Sequence, residues 1–248
     1  MRQSWPRVLF GSLGLAAALW AFVALPSFRA GAPILEMALR IVTDDRYKLG
    51  KLGDALLRTQ PQFGPALLQA PLAEAEAIIR VRRFEEALAL GDSDATDREA
   101  QHAQESLRIS LFLNPSTSYL WLMLYSLENT RGGFDPKSLT FLTQSYATGP
   151  LEGWVALRRN RLALAVFPSL SEAVQEKAVF EFANMVDSDL TDAAAVNLMG
   201  VGWAQRDRLL ASLSKAELIS REVIARKLWR EGVKIAVPGV ESDERLWR

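Results

Sequence analysis

The chain has 248 residues, and its 29 Lys and Arg are balanced by 29 Asp and Glu, so no global field recruits nucleic acid or another polyanion. It has no cysteine and one histidine, His102. Disulfides, thiolate nucleophiles and Cys-ligated metals are thereby excluded, and a His-based metal site or a Ser-His-Asp triad would have to be built on one imidazole.

From the N-terminus, residues 8–28 (VLFGSLGLAAALWAFVALPSF) carry no charge and are bracketed by Arg7 and Arg29. As a helix rising about 1.5 Å per residue, such a stretch matches the hydrocarbon core of a bilayer. Trp5 and Trp20 are candidate interfacial anchors. Arg2 and Arg7, with no acid among them, favour a cytoplasmic N-terminus. The rival reading is a cleaved signal peptide ending near Ala30-Gly31-Ala32, but the apolar run is long for one. The expectation is an uncleaved anchor with the rest of the chain on the far side of the membrane. Residues 1–32 form this anchor and a Gly/Pro hinge at Arg29 to Pro33.

Beyond the hinge, period-two alternation is missing and 3.6-residue patterns dominate. The pattern predicts helices over 34–42, 45–59, 64–69, 72–90, 96–113, 116–130, 136–147, 151–166, 171–187, 191–200, 203–213 and 215–235. Asp135-Pro136 supplies an N-cap before a proline at the first helical position, and Ser169 with Glu172 has capping-box spacing. The helical domain is expected over 33–237, with 238–248 as a peripheral tail.

In the middle of the chain, Asn114-Pro115 and Gly149-Pro150 bracket two helical segments split by Gly132 and Gly133. The two prolines lie thirty-five residues apart, and Trp121 to Leu124 supply W-x-x-L. Trp154 and Leu157 repeat that spacing after Pro150, and Glu105 to Pro115 reads as the second helix of a preceding unit. Over roughly Leu72 to Val186 the chain resembles the tetratricopeptide-repeat superfamily, whose thirty-four-residue unit carries the same tryptophan motif and terminal proline. It departs from that pattern at Tyr125, which stands where the unit has glycine. The resemblance implies stacked helix pairs, each unable to bury its apolar face alone, that together offer a binding surface. Trp121, Tyr125, Phe141 and Trp154 are the expected core-packing aromatics. The runs "LNP…YLW" and "GPLEGWVALRRNRL" are also similar to membrane-anchored accessory proteins of bacterial exopolysaccharide and cell-envelope assembly.

Motifs for chemistry are missing. There is no G-x-S-x-G, P-loop, G-x-G-x-x-G or H-E-x-x-H. Gly91 to Asp97 (GDSDATD) lacks the glycine and terminal glutamate of a calcium loop, so it reads as an interhelical turn whose Asp and Ser cap the next helix. Asp187 to Asp192 reads the same way, and His102 as an exposed helical residue. No catalytic residue, cofactor or metal site is assigned. The polar residues of most interest are Arg158, Arg159 and Arg161. A helix begun at Leu151 puts Leu151, Trp154, Val155, Leu162, Ala165 and Val166 on one stripe with Arg158 at its centre and Arg159 and Arg161 at its edges. Arg158 then either pairs with an acid of a neighbouring helix or offers an anion and partner contact. A second basic cluster, Arg221, Arg226, Lys227 and Arg230, is spread around its helix and reads as solvated surface.

The sequence thus reads as an all-α, TPR-like protein with an N-terminal transmembrane helix. The expectation is a single-pass protein of the bacterial inner membrane with a periplasmic C-terminal domain. Its expected role is scaffold or adaptor for a cell-envelope assembly, with polysaccharide biosynthesis or export as the implied setting. Its partners are the lipid bilayer, through residues 8–28, and a protein of a membrane or envelope complex; nucleic acid is not among them. The alternatives are a glycan-acting envelope enzyme, marked by an unpaired cleft glutamate of raised pKa, and a structural subunit of a membrane complex.

Overall fold

The computed structural model describes residues 5–42, 52–53, 56 and 70–241, with side chains of the first helix described at 9–22 and 31–42. The described residues form α-helices and short 3-10 turns with no strand. The helices are α1 Trp5–Val42, α2 Ala70–Leu90, α3 Ser93–Leu113, α4 Ser118–Gly132 and α5 Leu139–Thr148. They continue as α6 Gly153–Ala165, α7 Glu172–Val186, α8 Thr191–Met199, α9 Arg206–Ser212 and α10 Leu218–Arg230. Most fall where the periodicity places them. The helices expected over 45–59 and 64–69 lie outside the described residues, save that Leu52, Gly53 and Leu56 are helical.

The chain divides into two compact units, Met1–Pro115 and Ser116–Arg248. In the first, α2 and α3 form an antiparallel hairpin. Its turn is Gly91, whose φ of 74° is costly for any residue with a Cβ. Asp92 caps α3 by accepting the Ala95 N–H at 2.9 Å, which is the role expected for the GDSDATD turn. Small residues at the crossing (Ala75, Ala77, Ala87, Ala100, Ala103) bring the backbones close, while Ile79, Phe84 and Leu107 fill between them. Arg83 donates to Glu99 across the pair at 2.5 Å.

The expected hinge at 29–33 does not form: α1 runs unbroken through Pro26 and Pro33. Each proline removes one backbone hydrogen bond and locally favours a break. Tertiary packing overrides that preference, because Gly31, Ile34, Ala38 and Ile41 form a buried stripe at helical spacing and α1 packs along α2. Earlier on the same helix every described side chain from Leu9 to Phe22 is exposed. Among the described residues no helix is long and apolar enough to cross a membrane. The rest of the expected span, residue 8 and residues 23–28, lies outside the described side chains.

In the second unit, α4 and α5 form one hairpin, and α6 and α7 pack as another. Asp135 caps the turn into α5 by accepting the Lys137 N–H at 2.9 Å, as its sequence position before Pro136 predicts. The expected capping box at Ser169 and Glu172 is not built. Ser169 closes a 3-10 turn, and α7 begins after Ser171 with no side-chain cap bond. The helices α8, α9 and α10 complete the unit around Leu198, Leu209, Ile224 and Leu228. Among the basic residues on α10, Arg221 donates to the Pro238 carbonyl at 2.7 Å, and Lys227 pairs with Asp192. Arg226 and Arg230 are exposed.

Candidate functional site

The three arginines of α6 take three different environments, and the phase of the helix decides which. Its first helical residue is Gly153, and its buried face is Val155, Ala156, Arg159, Asn160, Ala163 and Leu164. The expected stripe is therefore rotated by about one residue, roughly 100°. Leu151 is 74 % exposed and Trp154 45 %, so neither belongs to the core. This corrects the placement of Trp154 among the core-packing aromatics and moves the central buried arginine from 158 to 159.

Arg159 is fully buried. Its Nε and Nη2 donate to Glu181 Oε1 of α7 at 2.9 and 2.6 Å, Nη1 donates to the Ser145 carbonyl at 2.7 Å, and Nη2 to the Gly149 carbonyl at 2.8 Å. The guanidinium carbon sits 4.3 Å from the centre of the Tyr146 ring, and the Tyr146 hydroxyl donates to the other Glu181 oxygen at 2.7 Å. Next to it, Asn160 donates to the Ala178 carbonyl and accepts from Asn197. Burial lifts the Glu181 carboxyl above the ordinary carboxylate range, with Arg159 and the Tyr146 hydroxyl pulling the other way. Burial and the neighbouring carboxylate push the Tyr146 hydroxyl well up. Glu181 is not the open-cleft acid of a glycan-cleaving site, because it is enclosed and both its oxygens are bonded.

The network explains the Gly-Pro at 149–150. The Gly149 carbonyl is pinned by Arg159, and its Cα faces the start of α4. A Cβ there would stand 2.5 Å from Ser118 Oγ and 2.7 Å from Glu152 Cδ. Ser118 donates to Glu152 at 2.5 Å, joining the start of α4 to the start of α6. Glycine is needed at 149 because two helix starts and a turn meet there.

The outward face of α6 carries the other two arginines. Trp154, Leu157, Arg158, Arg161 and Ala165 recur at helical spacing; all but Arg158 are exposed, and Arg158 is half-buried. Arg158 donates to the Tyr119 hydroxyl at 3.0 Å, and the Tyr119 ring lies 4.7 Å from Trp154. The sequence matches no family model, and the comparisons with curated proteins and with solved structures found no match. The surface itself therefore carries what can be said of it. It has two guanidinium groups and an indole on one helix face, and no acid lies within the helix.

The remaining expected aromatics sit closer to their assigned role. Tyr125 is buried in α4, and burial raises its hydroxyl pKa. Trp121 and Phe141 are half-buried and stack at 6.1 Å across the α4–α5 pair. His102 is exposed on α3. Among the described residues no group of three or more His, Asp or Glu is arranged to hold a metal ion. An open groove of about 380 Å³ between α7 and α9 is lined by Phe180, Glu176, Asp187, Arg208 and Lys215, so its charges are of both signs. The sequence reading missed this groove because its walls come from two helices far apart in the chain.

Proposed function

We propose that this protein is a membrane-anchored helical scaffold for an assembly of the bacterial cell envelope, with its helical units outside the cytoplasm. The carrying observation is the first part of α1, where Phe10, Leu13, Leu15, Leu19, Trp20 and Phe22 are all exposed and no residue from Leu9 to Phe22 is buried. Monomeric soluble proteins rarely expose so long an apolar surface, and lipid covers it at no cost in polar desolvation. The uncharged run from 8 to 28 extends it to membrane-spanning length, and Arg2 and Arg7 orient it. The scaffold role rests on the helix pairs. Pro115 and Pro150, which flank the α4–α5 hairpin, lie thirty-five residues apart, close to the thirty-four of a tetratricopeptide-like unit.

Alkaline extraction of membranes tests the anchor. The intact chain stays with the lipid, and a variant carrying Leu15→Arg and Leu19→Arg is released. Recovery of the unaltered chain in the soluble fraction overturns the reading. A reporter fused after Arg248 is expected to be active outside the cytoplasm, and cytoplasmic activity overturns the envelope setting.

A further inference from the structure

One groove of the second unit is lined by polar groups that the fold does not use. It runs between α7 and the stretch from α9 to Ala216. At about 380 Å³ it falls within the size of small-molecule sites, roughly 300–1,000 Å³. Phe180 stands on its α7 wall with 58 % of its surface exposed. Glu176 and Asp187 line the same wall, and Arg208 and Lys215 the other. These opposite charges do not close on one another. Among the described residues Glu176, Asn184, Ser214 and Lys215 have no side-chain hydrogen bond or ion pair. Arg208 and Asp187 are held by one contact each. Arg208 Nη1 donates to the Gln175 side chain at 2.8 Å, and Asp187 Oδ1 accepts the Glu217 N–H at 2.9 Å. Arg208 Nη2 and Asp187 Oδ2 keep their bonding capacity for a ligand.

We infer that this groove binds a neutral oligosaccharide. The exposed ring of Phe180 presents the negative face of its quadrupole, which attracts the polarised C–H face of a pyranose. Each sugar hydroxyl both donates and accepts, so it needs both kinds of partner within reach. The groove supplies them together: the carboxylates accept, Arg208 and Lys215 donate, and Asn184 and Ser214 do both. Its ionised groups sum to zero, so a polyanion would meet Glu176 and Asp187 along with the two bases. A peptide would need apolar anchor pockets or an unpaired strand edge. Here the large apolar group projects into solvent, and ionised groups interrupt the apolar residues of both walls. The inference rests on the envelope scaffold proposed above for its setting only, and gives that scaffold a glycan to hold.

Saturation-transfer NMR on the full-length chain tests this, in a detergent without a sugar head group. The probes are the β-1,4-linked tetrasaccharides of glucose and of N-acetylglucosamine. Polygalacturonate and a blocked apolar tetrapeptide are the comparisons. Saturation is expected to reach the ring C–H protons of at least one neutral tetrasaccharide, and which one sets the sugar. Phe180→Ala should weaken that binding roughly tenfold or more, and Asn184→Ala roughly fivefold. Phe112→Ala, at an 87 % exposed position in the first unit, should leave it unchanged. Transfer to neither neutral tetrasaccharide overturns the inference, as does binding that survives both groove variants. Binding of polygalacturonate alone, lost in high salt, also overturns it. Transfer to the tetrapeptide and not to the glycans assigns the groove to a peptide and overturns it too. Alkaline extraction reads the α1 anchor and this titration reads the groove, so either can fail without the other.

Discussion

Replacing Arg159 by alanine removes the centre of the second unit's polar network, and the geometry sets the expected size of the loss. Arg159 is fully buried and bonds Glu181, the Ser145 carbonyl and the Gly149 carbonyl. Its removal leaves an uncompensated carboxylate in the core, which costs about 3–5 kcal/mol. The Gly149 carbonyl adds to this, an orphaned acceptor being worth about 1–3 kcal/mol, while the Ser145 carbonyl still accepts the Gly149 N–H. Glu181 limits the total by taking up a proton, and water can enter where the side chain stood. Arg159→Ala should therefore destabilise the unit by about 3–5 kcal/mol and lower its Tm by roughly 10–20 °C. Far-ultraviolet circular dichroism of the solubilised chain, against urea and against temperature, reads both. Arg161→Ala, on the exposed face, should stay within about 0.5 kcal/mol of the parent. Replacing the ionised network at once, as Arg159→Met with Glu181→Leu and Tyr146→Phe, should recover part of the loss, since no charge is then left unpaired, while Ser145 Oγ and the Gly149 carbonyl still lose a donor. If Arg159→Ala costs no more than Arg161→Ala, or if the triple variant is worse than the single one, the network does not carry the stability assigned to it.

Gly149→Ala should cost about 1–3 kcal/mol, because its Cβ would meet Ser118 and Glu152 well inside van der Waals contact. Gly132→Ala, where a Cβ meets nothing within 4 Å, should be neutral or stabilising by about 0.4–1 kcal/mol; equal urea midpoints for the two would refute the close approach. The raised carboxyl of Glu181 has a defined sign in pH. Its contribution is fully present below the ordinary value of 4.5 and is lost as pH rises through the higher folded value. Across that window, which opens just above 4.5, stability of the parent should fall with pH more steeply than that of Glu181→Gln; a steeper fall in the variant would contradict the shift.

The helices of the second unit were legible because the punctuation is local. Gly132-Gly133, Asp135-Pro136 and Gly149-Pro150 act through their own backbone preferences, and each ends or starts a helix where expected. The identity of the buried arginine was not legible, because it depends on phase. Leu151 and Trp154 are large and apolar, and counting them inward put Arg158 at the centre of the stripe. The quieter signal was Ala156 with Ala163, small residues seven apart that allow α7 to approach, with Arg159 and Asn160 lying midway between them. Glu181, set between Phe180 and Phe182, was the matching signal on α7 (a lone acid in an apolar run). At 29–33 the error ran the other way, since Gly and Pro locally favour a break and only the packing of Ile34, Ala38 and Ile41 against α2 keeps α1 intact.

That continuity of α1 has a mechanical consequence. At roughly 1.5 Å per residue its 38 residues make a rod of about 57 Å, one end bare and the other bolted along α2. A chain with a hinge between these ends would let the α2–α3 hairpin swivel freely. Here the helix is continuous, so a tilt of the exposed end reaches the packed end through one element.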